Sequence, residues 1–367
     1  MYNQLKCFLV SLFLSIGLAS WADDCIVDGI YYELDANKKE ACVKPCGDGR
    51  YQGPVVIPAS IQVEGVDYTV TSIGEKAFDN YHNLSSITIP NSVTTIRKGA
   101  FEFCSRLVFL TIPEHVTSIG EHAFEGCDNL TTVNLPEGLK TIGTGAFAHT
   151  HLATVTIPKS VESIGEWTFS GCNSMYSMKV KKGNTHYDSR KDCNAIIETS
   201  TNTLIAGCRN TVIPNSVRVI GPNAFWGCHI TSLTIPEGVT MLDRSAFSCC
   251  DLENITIPKS VTTIGEFAFG SCESLKSIDL PEGITSIGGE AFRSCLSLTS
   301  IIIPTSVTYI GAMLFTGCNS LSSIIVREGN THYDSRDNCN AIIETATNML
   351  IASCKNTRIP QSVKAMQ

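Results

Sequence analysis

Beyond its first residues the chain has no apolar run long enough to cross a membrane, which excludes a spanning helix from the rest of it. Charge is sparse, at 17% of residues, with 27 Lys and Arg against 35 Asp and Glu and no basic stripe. That balance excludes a nucleic-acid-binding surface. Tryptophan is scarce, at three residues, so few aromatic anchors are available for a compact hot spot. There is no Cys-x-x-Cys pair, which argues against a structural zinc site. What the chain does have is repetition.

Residues 1–22 read as a secretory signal peptide. Lys6 supplies the positive start, Cys7 to Leu18 a short apolar stretch, and Ser20-Trp21-Ala22 small residues for cleavage, expected after Ala22. The segment is too short for a membrane span, so the expectation is an exported protein, secreted or held at the cell surface.

From there one unit recurs. Ile89-Pro90, Ile112-Pro113, Leu135-Pro136 and Ile157-Pro158 follow at steps of 22 or 23 residues, as do Ile213-Pro214, Ile235-Pro236, Ile257-Pro258, Leu280-Pro281 and Ile303-Pro304. A fixed period near 22 means stacked coils, because one such unit cannot bury its apolar face alone. In the unit at 104–126, Leu110-Thr111-Ile112 alternates as a half-buried strand does, and Pro113 ends it because it has no N–H to give. Val116 and Ile119 form a second extended edge, and Gly120 is expected to bend the chain with a positive φ. Ala123-Phe124 goes inside, the alanine small so that the next coil's ring can approach. Ten units carry this ring: Phe78, Phe101, Phe124, Phe147, Phe169, Phe225, Phe247, Phe269, Phe292 and Phe315. Coils ~4.8 Å apart predict a ladder of stacked rings, since aromatic pairs favour ~4.5–7 Å. Departures are few: Arg97 and Asp243 replace the glycine, Thr168 and Leu314 the alanine, Tyr81 and Thr150 the cysteine.

The motif Ile-Pro-x-x-Val-x-x-Ile-Gly-x-x-Ala-Phe-x-x-Cys resembles the Treponema-type leucine-rich repeat of BspA-like surface proteins. The resemblance covers residues 70–367, preceded at 23–69 by a segment similar to the N-terminal β cap that often joins these repeats. It implies a β-rich solenoid with a parallel sheet, display at a bacterial surface, and adhesion to host matrix proteins or other cells. It carries over no catalytic residue and no cofactor.

Twice the spacing jumps by 33 residues, giving inserts at about 181–213 and 327–359 that share Gly-Asn-Thr-His-Tyr-Asp-Ser-Arg at 183–190 and 329–336. Within the first, 194–198 and 203–206 flank a polar turn and read as a β-hairpin. His186, Asp188 and Ser189 invite a catalytic or metal reading. Three near neighbours in one turn do not assemble a triad, whose members converge from separate segments, so a hydrogen-bonded turn is expected.

After residue 22, twelve of the cysteines fall into two sets, leaving Cys25, Cys42 and Cys46 as an odd group and Cys249 without a counterpart. Cys104, Cys127, Cys172, Cys228, Cys250, Cys272, Cys295 and Cys318 share one place in the unit and read as buried thiols; the alternative is disulfides between neighbouring coils. Cys193 with Cys208, and Cys339 with Cys354, lie symmetrically about the hairpin turns and are expected to be disulfides.

The residue between the two buried positions of each strand should face outward: Thr88, Thr111, Asn134, Thr156, Lys179, Thr234, Thr256, Asp279, Ile302 and Ile325. Ile302, Ile325 and Tyr309, with Asp279 and Lys179, depart from the threonine stripe and form the candidate binding face. Residues 363–367 stop partway through a unit, leaving an uncapped coil able to associate with another copy. A secreted or surface binding protein without enzymatic activity is expected, engaging a protein or other extracellular macromolecule. The alternative is a structural spacer or self-associating surface layer.

Overall fold

The computed structural model describes residues 24–46, 51 and 53–366. The signal-peptide reading at 1–22 lies outside them. The chain divides into two compact units, Met1–Leu152 with Pro158–Phe169, and Ala153–Ile157 with Ser170–Gln367.

In the first unit, strands Asp24–Val27, Ile30–Asp35 and Glu40–Val43 run as an antiparallel meander. Glu40–Val43 then pairs in parallel with Val66–Ile73, which also takes Ser60–Val63 on its other side. Val66–Ile73 crosses the expected cap boundary, for its last two residues already belong to the repeat: Ser72 and Ile73 pair with Thr95 and Ile96. The ladder continues in parallel through Ser118–Ile119, Thr141–Ile142 and Ser163–Ile164. A second face carries the strands before each proline, and these pair two by two, Pro54–Val56 with Ser86–Thr88 and Phe109–Thr111 with Thr132–Asn134.

Each coil is closed by the same devices. The carbonyl of Pro90 accepts from Val93 N at 3.1 Å and that of Pro113 from Val116 N at 3.1 Å, so the proline that ends a strand also starts the turn. After the two-residue strand, alternate N–H groups donate to the next coil: Phe101 N to Ala123 O and Phe124 N to Ala146 O, both at 2.8 Å. Within this segment positive φ recurs four residues apart, at His122 (54°) and Gly126 (67°) in one coil and at Gly145 (63°) and His149 (55°) in the next.

This corrects the reading of Gly120. It is not among the residues of positive φ; a Cβ there would lie 2.5 Å from Lys98 N and 2.6 Å from Arg97 C of the preceding coil. The glycine serves close approach of backbone to backbone, and the positive φ falls two residues later. Nothing in the structure explains why Arg97 and Asp243 are accepted at this place.

The ring ladder forms within each unit. Phe78, Phe101, Phe124, Phe147 and Phe169 stack at 5.2 to 5.9 Å in the first, and Phe225, Phe247, Phe269, Phe292 and Phe315 at 5.3 to 5.9 Å in the second. The widest of these spacings, 5.9 Å, occur at Phe147–Phe169 and Phe292–Phe315, whose coils carry Thr168 and Leu314 in place of alanine.

The second unit opens with Thr154–Ile157 paired in parallel with Ser177–Val180. Three antiparallel strands follow, Tyr187–Asp188, Ala195–Glu198 and Thr203–Gly207, where the sequence suggests two. The last also acts as a ladder strand: Thr203 and Leu204 pair in parallel with Val219 and Ile220. From there the ladder runs through Met241–Leu242, Thr263–Ile264, Ser286–Ile287 and Tyr309–Ile310. The second copy repeats the arrangement with Tyr333–Asp334, Ala341–Glu344, Met349–Ser353 and Ala365–Met366.

Candidate interaction surface

The shared His-Tyr-Asp-Ser-Arg run is structural. The side-chain oxygen of Asn184 accepts from the backbone N–H of His186 and of Tyr187, both at 2.8 Å, and Tyr187 is buried. Asp188 accepts from Arg190 Nε at 2.8 Å and from Nη2 at 2.7 Å, while Arg190 Nη1 reaches Asn202 Oδ1 at 2.7 Å. Ser189 Oγ accepts from Val180 N at 3.0 Å, fastening the turn to the preceding strand. The second copy makes the same set, with Asn330, Asp334, Arg336, Asn348 and Ser335. These side chains are committed to holding the turn. Among the described residues no three of His, Cys, Asp and Glu gather as a metal site would need.

The cysteines are thiols throughout the described residues. Column members donate to the carbonyl of the preceding coil's phenylalanine: Cys104 Sγ to Phe78 O at 3.0 Å, Cys127 to Phe101 O at 3.1 Å, Cys250 to Phe225 O at 3.0 Å, and Cys272 to Phe247 O at 3.1 Å. Burial pushes the Cys104 and Cys272 thiols up to about 12, so they stay protonated and unreactive at neutral pH. The expected Cys193–Cys208 and Cys339–Cys354 disulfides are not formed in the structure. Cys208 Sγ is hydrogen-bonded to Asn194 O and Cys354 Sγ to Asn340 O, each at 3.3 Å, while Cys193 and Cys339 face the carbonyls of Ala195 and Ala341.

Every residue expected to point outward from a strand is exposed. Ile302 and Ile325 are neighbours in the parallel ladder of Ser300–Ile303 with Ser323–Val326, and remain 43% and 48% accessible. Asp279 stands beside Thr256 one strand pair earlier, and Lys179 beside Thr156 where the second unit begins. Tyr309 is exposed on the other ladder, opposite Ser286, so it does not share a strand row with Ile302. Below it, Ile310 N donates to Tyr333 Oη at 3.1 Å, tying the three-stranded module to the ladder edge.

Sequence reasoning missed Val212, which is 72% exposed. It precedes Ile213-Pro214 just as Thr234 precedes Ile235-Pro236, so its place in the motif was a sufficient signal. Val212, Thr234, Thr256 and Asp279 border a groove of about 720 Å³ whose floor includes buried Ile213 and Ile255. There the face opens, for Thr234 meets Thr256 only through an isolated bridge. The outward column of the second unit is thus apolar at Val212, polar with one carboxylate through Asp279, and apolar again at Ile302 and Ile325.

Short parallel strands in two ladders, stacked phenylalanines and a 22- or 23-residue step define a leucine-rich repeat protein. The profile of the BspA type leucine rich repeat region matches residues 60–176, 203–322 and 241–363, and the chain belongs to that family. Against curated proteins the sequence has no significant match. Among solved structures it is similar to a leucine rich cell surface protein from Faecalibacterium prausnitzii, at 28% identity and a TM-score of 0.57, covering 89% of this chain and 98% of that one. It shares its fold with the pneumococcal vaccine antigen PcpA at 23% identity and a TM-score of 0.61, covering 84% and 82%. A leucine-rich repeat protein from Eubacterium ventriosum, at 23% identity and a TM-score of 0.59, covers 82% and 90%.

Proposed function

We propose that the chain is an exported cell-surface protein that binds another protein along the outward column of its second unit. The observation that carries this reading is the pair Ile302 and Ile325, two large apolar side chains side by side on a strand face where threonine is the usual occupant. Leaving such a pair in water has no folding benefit, whereas covering it on binding removes apolar area from solvent. Membership of a repeat family with a cell-surface relative in Faecalibacterium supports the location, and the leader-like residues 1–22 supply the route. No helix among the described residues is long and apolar enough to cross a membrane. Adhesion to matrix proteins of a host or to other cells is the use we assign to this face.

The test is binding of the chain from residue 23 onward to immobilised matrix proteins and to whole cells, beside an Ile302→Asp/Ile325→Asp variant. Saturable binding that falls at least tenfold in the variant, with an unchanged thermal midpoint, is the expected result. Binding equal in the two proteins would overturn the assignment of the face, and absence of any binding would favour a spacer role.

A further inference from the structure

The groove on the outward column is almost neutral. Of the described residues that line it, Asp279 alone is charged and none is aromatic. The carboxylates to either side of Asp279 in the chain are answered from within it: Glu253 pairs with Lys276 and Glu282 with Arg327, each at 2.8 Å. Asp279 is exposed at the end of its strand beside neutral Thr256, with no cation along the groove to offset it. The strand Ser300–Ile303 packs against Ser277–Asp279. One repeat step from Asp279 therefore leads to Ile302, and the next to Ile325.

We propose that an amphipathic helix of the partner protein lies along this column, with a lysine or arginine on Asp279 and two large apolar side chains on Ile302 and Ile325, an assignment that rests on the column being a binding face. Charge complementarity selects the cation. A carboxylate in a groove without a positive group of its own favours a positive guest and disfavours a negative one. The spacing selects the helix. Paired strands lie ~4.8 Å apart, and the stacked rings of this unit step by 5.3 to 5.9 Å. These values bracket the ~5.4 Å pitch of an α-helix. Same-face side chains of an extended strand repeat every ~6.6 Å and fall out of step.

A helix meets successive coils through residues i, i+4 and i+7, the spacing of anchors in a helix-in-groove complex. The partner segment thus carries its basic residue at i and its apolar residues at i+4 and i+7. Turned end for end, the apolar residues come first. From Val212 to Ile325 the column spans five repeat steps, ~27 Å at that pitch or about 18 helical residues. Polar side chains of the same helix face would meet Thr256 and Thr234.

The experiment is fluorescence anisotropy with the chain from residue 23 onward and a labelled alanine- and glutamine-rich peptide of about 18 residues, capped at both ends. It carries one lysine, with leucines four and seven residues later. Saturable binding is expected, weakened about three- to tenfold by Asp279→Asn with an unchanged thermal midpoint. Exchanging the peptide's lysine for glutamate should weaken binding to the wild type and restore it to Asp279→Lys. A threonine-rich peptide with leucines two and four residues after the lysine should bind the wild type more weakly. Ile302→Asp/Ile325→Asp should remove binding of every peptide.

Loss of binding in Ile302→Asp/Ile325→Asp with no response to Asp279→Asn or to the charge exchange would overturn the cationic anchor while leaving the binding face in place. Tighter binding of the strand-spaced peptide would overturn the helix. Peptide binding that none of these variants alters would overturn both the helix and the face. No binding of the helical peptide at millimolar concentration would also overturn the proposal, as would saturable binding of chitohexaose that Asp279→Asn abolishes.

Discussion

Removing one ring from the middle of a ladder tests the packing account most directly. Phe247 is fully buried and stacks on Phe225 at 5.3 Å and on Phe269 at 5.4 Å, with planes 7° and 9° apart. A phenylalanine buries ~150–250 Å², which at ~25 cal/mol/Å² is worth roughly 4–6 kcal/mol against an extended chain. Residual burial in the unfolded ensemble trims that by ~10–40%, leaving about 3–5 kcal/mol, the usual cost of Phe→Ala in a core. Phe247→Ala should therefore lower the unfolding free energy by that amount, read as a fall in the urea midpoint at constant slope. Phe315→Ala is the control. Its ring is 8% exposed and meets Phe292 at 5.9 Å with planes 20° apart. A poorer stack, at ~0.5–1.5 kcal/mol for a good one, should make its cost smaller by about 1 kcal/mol or more. Equal losses at the two positions, or no loss at Phe247, would refute a core built on stacked rings.

Two further outcomes follow from the coil geometry and from the module turns. Gly288→Ala should destabilise by ~1–3 kcal/mol, because its Cβ would lie 2.4 Å from Glu266 N; Gly138→Ala, whose Cβ meets only Glu114 O at 3.3 Å, should stay within ~0.5 kcal/mol in the same urea titration. Burial opposes ionisation of Asp334, but the hydrogen bonds from Arg336 outweigh it and hold the carboxyl below its usual range. A lowered carboxyl stabilises the fold above its unfolded value of about 4 and loses that contribution as pH falls through the folded value. Asp334→Asn should thus lower the unfolding free energy at pH 7 by roughly 0.5–1 kcal/mol, discounted for a pair that is about a third exposed. The gap to the wild type should close in acid, and a gap that is constant from pH 7 to pH 2 would contradict the role given to the ion pair.

The repeat made the architecture readable because every coil carries the same instructions. Alternation at Leu110-Thr111-Ile112, the stop at Pro113 and the place of Phe124 each map to one local cause, and the structure repeats them coil after coil. Gly120 was located correctly and explained wrongly, since sequence shows that a side chain is excluded without showing whether φ or a neighbouring backbone excludes it. The hydrogen bonds of the turn segment were illegible for a related reason: they run from one coil to the next, and no pattern within a coil announces them. The third antiparallel strand, Tyr187–Asp188, is two residues long and too short to carry a period. The hairpin cysteines are free thiols in the structure, Cys208 and Cys193 each turned toward a carbonyl, an orientation that symmetry about a turn does not reveal.

The duplicated block separates what a residue is from where it lies. Ile213 is 5% exposed and Ile359, its counterpart in the second copy, is 55% exposed. Gly207 sits so close to Phe225 that a Cβ would come within 2.2 Å of the ring, yet its counterpart is Ser353. Inside a stacked coil the neighbouring coils decide which side chains are accepted, and that constraint makes the inward positions uniform from unit to unit. The outward column escapes it, because a side chain there faces solvent and meets only its ladder neighbour, not the packed interior. Threonine is a sound default on such a surface, so positions that abandon it, among them Val56, Lys179, Val212, Asp279, Ile302 and Ile325, answer to something other than the stack. Binding specificity in this protein is therefore to be sought in the few outward residues that break the repeat, while the residues that maintain it explain only why the face exists.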